Sequence, residues 1–257
     1  MNKTKIDWAD STWNSVTGCL HGCEYCYARK VAERFDGKSD KTLYMQLKDK
    51  PDVFDLYEAM PGEDGRKMPY PFGFEPTFHR YHLDDYKDKK GRTIFVCSMA
   101  DLFGDWVPDE WIQEVFKACE AGPQHRYLFL TKNVMRYDAL WSIGKLPIKH
   151  WYGHTVTTES DVAHGPYFNP EGFNNFLSIE PLLGNAAKGN WLHMYKWVIV
   201  GAETGNRKGK IVPEKSWVNA IVEKCASKNV PIFMKESLRE LMGDDFIQEY
   251  PWEVATP

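Results

Sequence analysis

From residue 93 onward, short apolar runs alternate with helical patterns, and this rhythm constrains the fold more than any other feature of the chain. The runs are Thr93–Ser98 (TIFVCS), Tyr127–Thr131 (YLFLT), Trp151–Thr157 (WYGHTVT), Phe176–Glu180 (FLSIE), Trp197–Gly201 (WVIVG) and Val230–Lys235 (VPIFMK). They are continuously apolar, as strands are when both faces of a parallel sheet are covered. Between them, Trp111, Ile112, Val115, Phe116 and Cys119 recur at helical spacing, with Pro108 at the entry and Gly122 at the exit. Trp217, Val218, Ile221, Val222 and Cys225 repeat the same offsets, and Val134, Tyr137 and Trp141 mark a third helix. Such alternation predicts βαβ units and a parallel sheet. An extended run at Trp13–Thr17 raises the count to about seven strands.

A length of 257 residues allows one large domain or two small ones. The reading is a single domain over 1–257 with an insertion at about residues 36–92. That insertion is rich in Pro, Gly, Asp and Lys, carries aromatic islands such as Tyr70–Phe74, and is expected to hold short helices. Lys and Arg total 32 against 36 Asp and Glu, a net charge of -4, which excludes a strongly basic nucleic-acid coat but not a local basic groove. No apolar run approaches the roughly 20 residues of a membrane-spanning helix. The opening MNKTKIDWADSTWN lacks the apolar core of a secretory signal, so a cytoplasmic protein with no membrane partner is expected.

Six cysteines are too sparse for a disulfide scaffold. Cys97, Cys119 and Cys225 stand alone in apolar surroundings and read as small buried hydrophobes. Cys19, Cys23 and Cys26 instead share eight residues with Gly18 just before them and Gly22 among them. A structural zinc site wants four ligands, commonly with a second pair, and no second cysteine pair follows. His21 is an awkward fourth ligand, because one residue separates it from Cys19 and from Cys23. A four-iron cluster usually takes four thiolates; with three, one iron keeps an open position. Tyr25, directly before Cys26, adds a flat apolar face beside the thiols.

The Cys-x3-Cys-x2-Cys spacing with an aromatic residue before the third cysteine resembles the signature of radical S-adenosylmethionine (SAM) enzymes. The resemblance implies a [4Fe-4S] cluster on Cys19, Cys23 and Cys26, SAM chelating the fourth iron, and an external one-electron donor. With it, the strand rhythm favours an α/β fold of the partial, open TIM-like β/α-barrel type with six or seven parallel strands, over a doubly wound sheet. In a β/α barrel the active site lies past the C-terminal strand ends. Those positions are polar throughout: Ser98 and Asp101; Thr131, Lys132 and Asn133; Thr157, Thr158 and Glu159; Glu180; Glu203 and Thr204; Lys235 and Glu236. By carry-over, Ser98 and Asp101 fall where the SAM amino group is held, although the usual Gly-Gly-Glu is absent. Thr157 and Glu159 fall where the ribose is held. Tyr25, Glu180 and Glu203 complete the candidate cofactor-binding set.

Ile6–Trp8, Thr12–Asn14, the Cys loop, Ser98–Phe103, Leu130–Lys132, Leu177–Gly184 and Val198–Gly205 together are similar to the phage-encoded three-cysteine radical SAM proteins. Some of those are implicated in thymidine hypermodification, where glycine linked through nitrogen to the thymidine methyl carbon becomes a carbon-linked isomer. The resemblance implies an isomerase acting on modified DNA or a nucleotide, in the host cytoplasm if phage-encoded. A duplex substrate would be reached in the major groove or by flipping the nucleotide out. Arg207, Lys208 and Lys210 form one basic run, and Lys87, Lys89, Lys90 and Arg92 another; either can hold phosphates or be a solvated face. Two other readings stay open: a thymine-directed lyase or repair enzyme resembling spore photoproduct lyase, and a metal-stabilised, non-enzymatic host-takeover module.

Overall fold

The computed structural model describes residues 4–37, 39, 46–47, 50–164, 168–188, 191 and 194–253. The chain divides into two compact units, Met1–Arg136 and Tyr137–Pro257.

The first unit contains β1 (Ser11–Trp13), β2 (Val16–Thr17), α1 (Tyr27–Arg34), β3 (Gln46–Leu47), β4 (Lys50–Leu56), β5 (Thr77–His79), β6 (Thr93–Val96), α2 (Asp109–Ala121) and β7 (Arg126–Thr131). β6 pairs in parallel with β1, Ser11 beside Ile94 and Trp13 beside Val96, and with β7, Phe95 beside Leu128. The run expected at Trp13–Thr17 is two strands, because the chain changes sheets after Trp13. β2 pairs antiparallel with β5 and so belongs to a second sheet, ordered β2-β5-β4-β3. The insertion therefore builds a sheet where short helices were expected. Among its described residues the helical content is one 3₁₀ turn, Arg80–His82. Phe54 stacks on Phe72 at 4.0 Å, and Arg80 fastens this sheet to α2, donating to Asp55 at 2.6 and 2.8 Å and pairing with Glu114. The guanidinium lies 4.6 Å from the Phe78 ring centre, so an apolar face covers what its hydrogen bonds leave open.

The second unit begins within α3 (Met135–Ser142) and continues through β8 (Trp151–Val156), α4 (Glu159–His164), β9 (Asn174–Ile179), β10 (Val198–Val200), α5 (Lys215–Ala226), β11 (Ile232–Met234) and α6 (Arg239–Met242). Its four strands pair in parallel in chain order, with Val156 beside Ile179, Leu177 beside Val198, and Val198 beside Ile232. Leu177, Ile179, Val198, Val200, Ile232 and Met234 pack with Val218, Ile221 and Cys225 of α5 in one buried cluster. The offsets read from the sequence are the buried face of α2, at Trp111, Ile112, Val115, Phe116 and Cys119; on α5 Val218, Ile221 and Cys225 are buried while Trp217 and Val222 are partly so, and on α3 Tyr137 is buried but Trp141 is exposed.

In each unit the parallel strands follow the order of the chain with no reversal. A doubly wound sheet reverses its order at a switch point. The fold is α/β of the open TIM-like β/α-barrel class. Among the described residues no helix is long and apolar enough to cross a membrane.

Gly153 sits beside Phe176 in the β8–β9 register, and a Cβ there would lie 2.3 Å from the Phe176 ring. Gly153→Ala is expected to destabilise the chain by about 1–3 kcal/mol through overpacking. Denaturant unfolding checks this, with Gly172→Ala, whose added Cβ meets no atom within 4 Å but is strained by its φ of +85°, as a backbone-only comparison.

Candidate functional site

The Cys loop leaves β2 at Gly18, whose φ of +86° suits glycine and whose position admits no side chain, since a Cβ would lie 2.2 Å from the Glu75 carbonyl oxygen. The Gly18 N–H donates to the Met99 carbonyl at 2.9 Å, which docks the start of the loop on the segment following β6. The loop ends at Cys26, the N-cap of α1, whose sulfur accepts from the Arg29 N–H at 3.4 Å. Cys19, Cys23 and Cys26 are half-buried, whereas Cys97, Cys119 and Cys225 are buried. Burial pushes the Cys19 thiol up to about 12, against a backbone hydrogen bond from His21; Asp101, Cys26 and Cys23 also push it upward.

Asp101 organises the surroundings of this loop. It is 5% exposed, and its carboxylate accepts from His21 Nε2 at 2.7 Å, from Thr131 Oγ1 at 2.7 Å and from the backbone N–H groups of Phe103 and Lys132 at 3.0 Å each. One side chain thus joins the Cys loop to the ends of β6 and β7. Ser98 donates from Oγ to Asn14 Oδ1 at 3.1 Å, and the same oxygen accepts the Met99 N–H. Tyr27 Oη donates to the Ser98 carbonyl at 2.7 Å. The Lys132 ammonium lies 5.5 Å from the centre of the Tyr25 ring. Tyr25, Ser98, Asp101 and the Cys loop are therefore parts of one neighbourhood.

The remaining candidates follow the strands of the second unit. Asp161, in the first turn of α4, accepts the Thr157 N–H at 2.8 Å, the Thr157 hydroxyl at 2.7 Å and the Thr158 N–H at 3.1 Å. Glu159 pairs with Lys188 at 3.3 Å on the surface, a contact worth little to stability. Glu180 pairs with Lys235 across Gly201, where a Cβ would lie 2.9 Å from the lysine and 3.3 Å from the glutamate side chain. Glu203 is 3% exposed and accepts two hydrogen bonds from Arg207, at 2.7 and 2.8 Å. The Glu203–Arg207 pair closes the loop following β10.

The sequence reading passed over Asn14, Tyr27 and Asp161. Asn14 would have joined the strand-end set had the first strand been ended at Trp13. Asp161 carried a signal in its spacing, four residues past Thr157 at the start of a helix. His21, weighed as a fourth metal ligand, has Nε2 bound to Asp101.

Among the described residues no three His, Cys, Asp or Glu side chains stand together as ligands of a single metal ion. The donor chemistry does fit an iron–sulfur cluster: three half-buried thiols on a glycine-turned loop, with the neighbouring histidine and carboxylate engaged with each other. The site defines an α/β protein with a three-thiol loop set at the ends of its strands. The family described as a protein of unknown function (DUF5131) matches residues 3–239, and the chain belongs to it. No curated protein matches the chain. Among solved structures it is similar to a mutant of spore photoproduct lyase with dinucleoside spore photoproduct, at 12% identity and a TM-score of 0.43, covering 87% of this chain and 62% of that one. The chain thus spans less than two thirds of that protein's length.

The Glu203 carboxyl is held below its usual range, first by the hydrogen bonds from Arg207 and then, against the effect of burial, by that residue's charge. A depressed acid stabilises the fold above its unfolded pKa, and the contribution is lost as pH falls through the folded value. Arg207→Met is expected to destabilise the chain most at neutral pH, because it strands a buried carboxylate. The difference from the unchanged chain should shrink as pH falls below about 4.5, the ordinary glutamate value. Urea unfolding of both chains across pH 3–7 measures it.

Proposed function

We propose that this chain is a radical SAM enzyme that holds a [4Fe-4S] cluster on Cys19, Cys23 and Cys26 and binds SAM beside it. The observation that carries the reading is three half-buried thiols on one short loop, docked through Gly18 and His21 on the segment following β6. When bound, the group supplies one-electron reductive cleavage of SAM, and with it a radical able to abstract an unactivated hydrogen. The chain's own residues bind and orient. Ser98 and Asn14 fix the turn after β6, Lys132 brings a cation to the Tyr25 face, and Arg29 steadies the first turn of α1. The resemblance adds Thr157, Glu159, Glu180 and Glu203 as proposed contacts to SAM and substrate.

The proposed reaction is the isomerisation of N-linked to C-linked glycinyl-thymidine in DNA or a nucleotide. The bond between the nitrogen and the thymine methylene breaks, a carbon–carbon bond forms from that methylene to the glycine carbon, and the hydrogen abstracted from that carbon ends on the freed nitrogen. No atom is gained or lost. An external one-electron donor starts the cycle. The reading is supported by the three-thiol loop and by the segments similar to phage radical SAM proteins.

Anaerobic reconstitution is expected to give about four irons per chain and, with a reductant and SAM, 5′-deoxyadenosine. Cys19→Ala, Cys23→Ala and Cys26→Ala should each abolish SAM cleavage. Iron content and cleavage that survive these substitutions would overturn the assignment. Nucleoside mass spectrometry on modified DNA treated with the loaded enzyme should show a changed fragmentation pattern at constant mass; a loss of mass identifies a lyase and refutes the isomerase.

A further inference from the structure

The Asp101 carboxylate has the donors of this chain around both of its oxygens. Oδ1 accepts from the Phe103 N–H at 3.0 Å and the Thr131 hydroxyl at 2.7 Å. Oδ2 accepts from His21 at 2.7 Å, from the Lys132 N–H at 3.0 Å and from the same Thr131 hydroxyl at 3.0 Å. A carboxylate has roughly four acceptor sites, and four donors at ordinary hydrogen-bond distance converge on this one, the single Thr131 hydroxyl hydrogen shared between its two oxygens. A buried carboxylate so occupied is poorly placed to bind a substrate amine, which would have to displace a partner and leave it unsatisfied. The partners also have a pattern. His21 sits midway between Cys19 and Cys23, and Thr131 and Lys132 end β7. The backbone that Asp101 holds at Lys132 is the backbone that sets the Lys132 ammonium over Tyr25, the residue before Cys26. On its other face His21 meets the Trp106 ring edge-on at 4.9 Å, which fixes the imidazole plane. Both ends of the Cys loop are tied elsewhere, at Gly18 to Met99 and at Cys26 to α1. The contact of His21 with Asp101 is the tie at its middle.

We infer that Asp101 is a positioning residue that acts through His21 and Lys132, clamping the middle of the Cys loop and the Lys132 cation into one rigid unit, rather than a direct contact to SAM. The inference rests on the proposed radical SAM reading for its consequence, but the clamp itself is a property of the chain without any bound group. A clamped loop presents its three thiols in one arrangement. Release of its centre is expected to loosen the loop while both ends stay docked.

Hydrogen exchange on the chain before loading tests the clamp directly. Asp101→Asn and His21→Gln should each speed exchange of the amides of residues 20–25 about tenfold or more. Residues 176–179 of β9 should be unchanged, which separates a local effect from general unfolding. After anaerobic loading, both variants should change the electron paramagnetic resonance signal of the reduced protein in the absence of SAM, and His21→Gln should reproduce the effect of Asp101→Asn. A direct contact predicts otherwise: Asp101→Asn raises the KM for SAM, while exchange and the SAM-free signal match the unchanged chain, and His21→Gln has no effect. That outcome overturns the inference and leaves the enzyme assignment standing. If Asp101→Asn fails to fold, His21→Gln carries the test, since His21 lies on the half-exposed loop. Failure of the unchanged chain to take up iron overturns the radical SAM reading, while the exchange result still decides the clamp.

Discussion

A buried carboxylate is costly unless hydrogen bonds and nearby donors replace its water. Asp101 meets that requirement with groups drawn from three places far apart in sequence: the Cys loop, its own turn and the end of β7. The first unit's site depends on this convergence. Beyond it, the segment following β6 and the thiol loop meet at the Gly18 hydrogen bond, at the contact of Tyr27 with Ser98 and through Met99. The usual way to stiffen a loop is to pack apolar groups beneath it, and Met99, Phe74 and Ala28 do this for Cys19 and Cys26. Between those two cysteines, His21 is held by Asp101, so a polar clamp orders the middle of the loop.

The second unit solves the same problem with two ion pairs and a capped turn. Three strand ends there carry a carboxylate matched to a partner: Asp161 with the Thr157–Thr158 backbone, Glu180 with Lys235, and Glu203 with Arg207. Gly201 allows the Glu180–Lys235 pair to pass close over the backbone, since any side chain there would occupy the same space. Such pairs orient more than they stabilise. They hold polar groups at fixed places on the strand ends, where a β/α fold collects its chemistry.

Most of the parallel strands and the two long helices were legible because burial on both faces writes a continuous apolar run, and burial on one helical face writes a repeat of three and four. Cys119 and Cys225 lay on those faces and are buried with them. The insertion was not legible. β4 reads KPDVFDL, a mixture of charge and apolar residues with proline near its start, and β5 is three residues long. Neither carries a period. They pair with each other across some twenty residues, and Arg80 ties them to α2 through Asp55 and Glu114, 25 and 34 positions away, which no local window contains. The break in the first strand was hidden for a similar reason, since Trp13 and Val16 are both apolar while their sheets differ.

The sequence by itself determined the class of fold, the three clustered thiols and the polar character of every strand end, because each of these is written in residue type and short-range spacing. Tertiary structure decided which polar groups are occupied by one another. Asp101, Glu180 and Glu203 look alike as acidic residues past strand ends, but one binds a histidine and backbone amides, one a lysine and one an arginine. Those partners lie between 2 and 80 residues away. Hydrogen-bond satisfaction is a property of position in space, and only the folded chain brings the donors to the carboxylates.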